Sequence, residues 1–187
     1  MTAELLTEVC NDVRVEPDLQ PLSGEVFPTS STNTSNGARL DIPANGFWGG
    51  RFEKCFIDVR VFNPHAPSNR QSSLDKCYKK HEQEKRRAYG PRVRDVEHAT
   101  FTPLVLSASC GLAREASIFY KRLASLLANK WDQPYGLTLH WLRCKIAYSL
   151  LRSSFQCLRG ARLSRGHSIR SASSPIDLVM TEIEAKI

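Results

Sequence analysis

The sequence predicts an α/β protein of the α+β type: a central mixed sheet flanked by helices, with an extra basic helix towards the C-terminus. Three observations lead there. "KCFIDVRVF" alternates side chains with the period of a strand, and "TFTPLVLSASCG" is a run of β-branched and apolar residues of strand length. Between and after them lie segments with apolar residues at helical spacing. The order reads helix, three strands, helix, strand, helix and a further helix. Three strands before the first crossover form a meander, and a strand that follows a helix can join the same sheet.

Each element has its own signal. Leu5, Leu6 and Val9 place residues 2–12 on an amphipathic helix. "VRVEPDLQPL" alternates as a first strand, with Pro17 suited to an edge or strand end. "SGEVFPTSSTNTSNG" is a turn-rich loop, "ARLDI" a short strand and "PANGFWGGR" a turn. Residues 73–89 start at a Ser or Asp cap and continue as a helix that Gly90-Pro91 interrupts. Residues 112–130 form a clear amphipathic helix, with Ala116, Phe119, Tyr120, Leu123, Leu126 and Leu127 on one stripe. A second helix, about 137–160, turns Leu139, Leu142, Ile146, Leu150 and Leu151 inward. By organisation, residues 1–131 are the sheet-containing domain, 132–162 a basic amphipathic helix packed on it, and 163–187 a loose basic linker with a short amphipathic tail.

Composition narrows the function classes. The chain has 187 residues, with 41% hydrophobic and 24% charged, which suits one domain with a substantial core. No apolar stretch has membrane-spanning length and no signal peptide opens the sequence, so no membrane partner is expected and the location expected is intracellular. Six scattered cysteines without a CxxC pair read as reduced thiols acting as small hydrophobes. His65, Cys77 and His81 lack a fourth ligand at zinc spacing. The net charge of +7 is uneven: residues 133–176 contain no acid and seven bases, Arg143, Lys145, Arg152, Arg159, Arg162, Arg165 and Arg170. A long acid-free basic segment suggests a polyanion, most often nucleic acid, although a solvated helix face gives the same pattern.

Two aspartates stand inside strand-like runs, Asp41 in "ARLDI" and Asp58 in "FIDVRVF", although aspartate is a poor strand former. Period two sends Ile57, Val59 and Val61 to one face and Phe56, Asp58, Arg60 and Phe62 to the other. If "ARLDI" pairs with this strand, Asp41 comes alongside Asp58. Two carboxylates converging beside a cation suit Mg²⁺, which takes one or two carboxylates plus water and phosphate oxygens. A solvent-facing Asp–Arg pair is the simpler alternative. In the next helix the stripe Leu74, Tyr78, Ala88 and Tyr89 continues through His81 to Lys85. That puts Lys85 on the side turned to the sheet, where it either snorkels or meets an anion.

These residues resemble a known family. "LD" at 40–41 followed by "DVR" at 58–60 is similar to the PD-(D/E)xK restriction-endonuclease-like nucleases. More narrowly, "EVCNDVRVEP … GE … RLDI … FIDVRVFNP … EKRRAY" resembles the restriction-endonuclease-like domain near the C-terminal end of some site-specific non-LTR retrotransposon polyproteins. The resemblance covers about residues 4–130. It implies a single restriction-endonuclease-like domain, a nuclear location and a metal-dependent DNA nickase that opens a target strand for reverse transcription. It implies Asp41 and Asp58 as Mg²⁺ (or Mn²⁺) ligands, Glu16 as a further acid, and Lys85 with Tyr89 as the helix element. Arg60 and Lys85 would offset charge on the phosphate, while Arg143, Lys145, Arg152, Arg159 and Arg162 would follow the backbone of DNA, or of RNA. Two positions depart from the pattern. Leu40 stands where the family has proline, and Arg60 where it has lysine. Arginine stays protonated and cannot act as a base, so either Lys85 has taken the cationic role or the copy is inactive. The alternatives are a non-catalytic nucleic-acid-binding module on the same fold and a decayed transposon fragment.

Overall fold

The computed structural model describes residues 1–17, 19, 40–50 and 53–160. Its elements, in chain order, are α1 (Thr2–Val9), β1 (Ile42–Asn45), β2 (Lys54–Phe62), α2 (Leu74–Asp95), β3 (Thr100–Ser107), α3 (Arg114–Trp131) and α4 (Tyr135–Gly160). The strands form one mixed sheet in the order β1-β2-β3. β1 is antiparallel to β2, with Ile42 opposite Ile57, and β3 is parallel to β2, with Asp58 opposite Pro103. The parallel pair needs a crossover, and α2 supplies it. By contact density the chain divides into Met1–Arg152 and Ser153–Ile187. Of the second part, only the end of α4 is described.

The alternation of β2 sorts the two faces as the sequence predicts. Ile42, Ala44, Cys55, Ile57, Leu104 and Leu106 enter the main core, and Val59 packs against it. α1, α3 and the buried stripe of α4 cover that face, through Leu6, Phe119, Leu123 and Leu142 among others. Phe56 packs on the opposite face with Leu40 and Val93, and Phe62 with Cys77, Tyr78 and Val105. That second face is covered by α2. Asp58 and Arg60 share it with Phe56 and Phe62, so the two charges lie under a helix and not in open solvent.

Several elements differ from the expectations above. The strand next to β2 is Ile42–Asn45, not "ARLDI", and the "turn" residues Pro43 and Ala44 carry the pairing. Phe47, expected in a turn, is fully buried and stacks on Phe119 at 4.4 Å. Among the described residues the expected first strand is reduced to an Asn11–Asn45 bridge and two backbone hydrogen bonds, from the N–H groups of Arg14 and Glu16 to the carbonyls of Pro43 and Asp41. Left-handed backbone at Asp12 and Glu16, with φ of 51° and 50°, breaks it as a strand. The loop expected at 23–37 lies outside the described residues.

α2 runs through Gly90-Pro91 without a break and ends at Asp95. An interior proline costs roughly 3 kcal/mol. The last turn offsets this by burying Val93 against Leu40 and Phe56, and the Val93 carbonyl accepts the Ala99 N–H. Leu74 and Ala88, expected inward, are exposed. On α4, Leu142, Ile146 and Leu150 are buried as expected, but Leu151 is 62% exposed.

The outer edge of β3 explains its proline. The Ala113 N–H donates to the Val105 carbonyl, and Ser107 N–H to the Gly111 carbonyl, so odd-numbered residues of β3 aim their backbone groups outward. Pro103 has the same parity, and its missing N–H falls on the edge, where proline is tolerated. At Gly111 an added β-carbon would collide with the buried Tyr78 hydroxyl, so the close approach requires glycine. No described helix is long and apolar enough to cross a membrane.

Candidate functional site

The site lies between the α2-facing side of the sheet and α2 itself. Carrying the β1–β2 register one residue back from Ile42 and Ile57 places Asp41 opposite Asp58. Directly opposed residues of antiparallel strands share a face, with β-carbons about 4.5–5.5 Å apart. The Asp41 carboxylate accepts the Val59 N–H at 2.6 Å, an intimate tie to the neighbouring strand. Asp58 is 4% exposed. Its Oδ2 lies 2.8 Å from the Lys85 Nζ, an ion pair whose approach is not aligned as a hydrogen bond.

Helical spacing on α2 delivers this contact. Tyr78, His81, Lys85, Tyr89 and Val93 recur nearly every four residues and lie on the sheet side. The aromatic neighbours shape the site: the Lys85 ammonium sits 5.3 Å above the Tyr89 ring, and the Phe62 ring lies 4.6 Å from His81. Tyr89 therefore packs against the cation.

The electrostatics follow from this placement. Burial pushes the Asp58 carboxyl above its ordinary range, Lys85 works against that rise, and the neighbouring Asp41 adds to it. Arg60 does not join the aspartate–lysine pair. Its Nη1 donates to Glu84 Oε2 at 2.8 Å. Nδ1 of His81 lies 3.3 Å from the same oxygen. Burial alone would raise the Glu84 carboxyl, but His81 and Arg60 outweigh it and hold it below its ordinary value. Burial, aided by the Arg60 charge, lowers the His81 pKa against the pull of Glu84, which favours neutral imidazole at pH 7.

Glu84 is the site residue that sequence reasoning missed. The available signals were its position beside Lys85 and its i+3 spacing from His81. Glu16, the expected further acid, donates its backbone N–H to the Asp41 carbonyl, while its side chain is exposed. Among the described residues, no three His, Cys, Asp or Glu side chains converge as a metal-binding group. Two opposed carboxylates remain, one with an oxygen lacking an aligned hydrogen bond. That is the minimal protein donor set for Mg²⁺, with water and phosphate oxygens completing the shell. The residues fit such an ion.

The basic residues expected to meet nucleic acid lie away from these carboxylates in sequence, on α4. Arg143, Lys145 and Arg152 are exposed, and the Lys145 Nζ sits 4.8 Å above the Trp141 ring. Arg159 falls in the last turn of α4, and Arg162 lies outside the described residues. All six cysteines are free, and burial pushes the Cys55 thiol up to about 12, which leaves it unreactive. Comparison with family models, with curated proteins and with solved structures returns no match.

Proposed function

We propose that the chain is a metal-dependent DNA endonuclease of the PD-(D/E)xK type, a nickase derived from a retrotransposon and acting in the nucleus. The observation that carries this reading is the Lys85 ammonium at 2.8 Å from buried Asp58, with Asp41, just ahead of β1, tied to the next residue of β2 by the Val59 N–H. A buried carboxylate and a half-buried one beside a single lysine are costly for folding alone, because the charges lose hydration. It is useful where a divalent ion and a phosphate have to be held together.

In this reading Asp41 and Asp58 hold Mg²⁺ or Mn²⁺. The chemistry such an ion supplies is a lowered pKa for water and a polarised scissile phosphate. Lys85 offsets the negative charge that builds on the phosphate oxygens, a role an ammonium of fixed positive charge performs without reorganising. Arg60, engaged by Glu84, holds the α2 side of the site in place. The exposed bases of α4 follow the phosphodiester backbone without reading sequence.

One observation favours a second reading, a nucleic-acid-binding module without catalysis. Arg60 replaces the family's lysine and is already tied to Glu84. A supercoiled-plasmid nicking assay with Mg²⁺ or Mn²⁺ separates the two. Nicking by the wild type that is lost in Asp58→Ala supports the nuclease. Salt-sensitive DNA binding with no nicking under any metal supports the module.

A further inference from the structure

α4 carries apolar residues on two opposite sides. Leu142, Ile146 and Leu150 enter the main core. Leu137, Trp141, Cys144, Tyr148 and Leu151 are exposed. Their spacing of four, three, four and three is that of a coiled-coil seam, and at 3.6 residues per turn it lies across the helix from Ile146. Single exposed apolar residues are ordinary, but a contiguous stripe marks an interaction surface. Trp141 is also pre-positioned, packed edge-on at 5.2 Å from Trp131.

The flanks of the stripe are charged in one sense. Lys145 and Arg152 each follow a seam residue and line one edge, whereas His140 and Ala147 line the other. No acid occurs anywhere from 133 to 176. We propose that this face of α4 docks an amphipathic helix of a partner protein whose seam is apolar and whose flanking positions are acidic. Such flanking charges are what select partners in helix pairs.

Charge decides against a second copy of this chain. A second copy in antiparallel orientation would bring the Lys145 and Arg152 edges together. In parallel orientation Lys145 would face His140 and Arg152 would face Ala147, with no attraction in either pair. Single-stranded nucleic acid would stack on Trp141 and Tyr148, but three of the five stripe residues, Leu137, Cys144 and Leu151, offer it no ring. The inference uses neither the aspartates nor Lys85, but it shares Lys145 and Arg152 with the proposed path of DNA, so peptide and nucleic acid would compete for that edge while only the peptide needs the apolar stripe.

The test uses the full chain and a fluorescein-labelled 21-residue peptide with Leu at the seam positions and Glu at the flanking ones. A matched peptide has Lys at the flanks. Anisotropy is expected to show the Glu peptide binding at least about tenfold tighter than the Lys peptide, with affinity falling as salt rises. The double variant Tyr148→Gln/Leu151→Gln, at stripe positions more exposed than Trp141, is expected to lose about tenfold or more while its circular dichroism melt stays unchanged. Lys145→Glu, a surface change that leaves the seam intact, is expected to narrow the preference. Equal binding of both peptides, or binding of neither, overturns the proposal. So does a dimer in sedimentation velocity that Trp141→Gln disperses, or a single-stranded oligonucleotide whose own binding is lost when the stripe residues Tyr148 and Leu151 are replaced by Gln.

Discussion

The Lys85 ammonium reaches across from α2 to within 2.8 Å of the Asp58 carboxylate, while Arg60, two residues along the same strand face, turns to Glu84 instead. The two cations therefore have different tasks, and substitution separates them. Lys85→Ala is expected to lower plasmid nicking by about 10²- to 10³-fold, the usual cost of one electrostatic stabiliser. Lys85→Arg is expected to restore only part of it, since a planar fork replaces a point charge. Arg60→Lys is expected to keep or raise the rate. A Lys85→Ala protein that nicks normally would falsify the assignment.

DNA affinity is expected to rest on phosphate contacts from α4. Replacing Arg143, Lys145 and Arg152 with Gln is expected to weaken binding to all duplex sequences alike. The slope of log affinity against log salt is expected to fall by about three if all three residues touch phosphate. Titrations at several salt concentrations measure this, and an unchanged slope removes α4 from the interface.

Glu82 takes the place of a missing helix cap. Ala113 precedes α3 and offers no side-chain acceptor, but Glu82 Oε1 accepts the Glu115 N–H at 3.1 Å in the first turn. Glu82→Ala is expected to cost about 1–2 kcal/mol in a denaturant melt. Burial raises the Glu82 pKa above its ordinary 4.5. The folded chain thus holds this proton to higher pH than the unfolded chain does. Its contribution to stability is fullest in acid and declines as pH rises from 4.5 through the raised folded value. Glu82→Gln keeps an oxygen acceptor and is expected to abolish that decline, so the two proteins diverge in Tm as pH increases.

Gly111 and Tyr78 are expected to be energetically coupled. Gly111→Ala forces a β-carbon against the Tyr78 hydroxyl and is expected to destabilise by about 1–3 kcal/mol. Tyr78→Phe removes a buried hydroxyl with no hydrogen-bond partner among the described residues, so alone it is expected to be nearly neutral. In the Tyr78→Phe background part of the Gly111→Ala penalty is expected to disappear, the remainder staying with Ser107 Oγ, 2.9 Å from the added carbon, and a double-mutant cycle reads the shared part directly.

The face assignment of Asp58 and the direction of Lys85 were legible because both rest on strong periods, two in β2 and 3.6 in α2. Other features depended on packing that no local pattern encodes. Pro43 and Ala44 have poor strand propensity, and pairing with Phe56 and Cys55 overrides it. Pro91 reads as a helix end until Val93 is seen buried beyond it. On α4 the two apolar stripes are nearly equal in sequence, so spacing alone could not say that Leu150 goes in and Leu151 out. Glu84 stayed hidden because its partner, Arg60, lies on another element.

Pro103 also bears on how the molecule behaves in a crowded solution. An open β-strand edge is a template on which unrelated chains can add strands and aggregate. On β3, the proline withholds a donor at the middle of that edge, and the Gly111–Ala113 segment occupies the groups at its end. On the far side, the backbone of residues 11–16 lies along β1 and is bent away by the left-handed turns at Asp12 and Glu16. Among the described residues neither margin offers a long run of free donors and acceptors, which leaves little template for amyloid-like growth through this sheet.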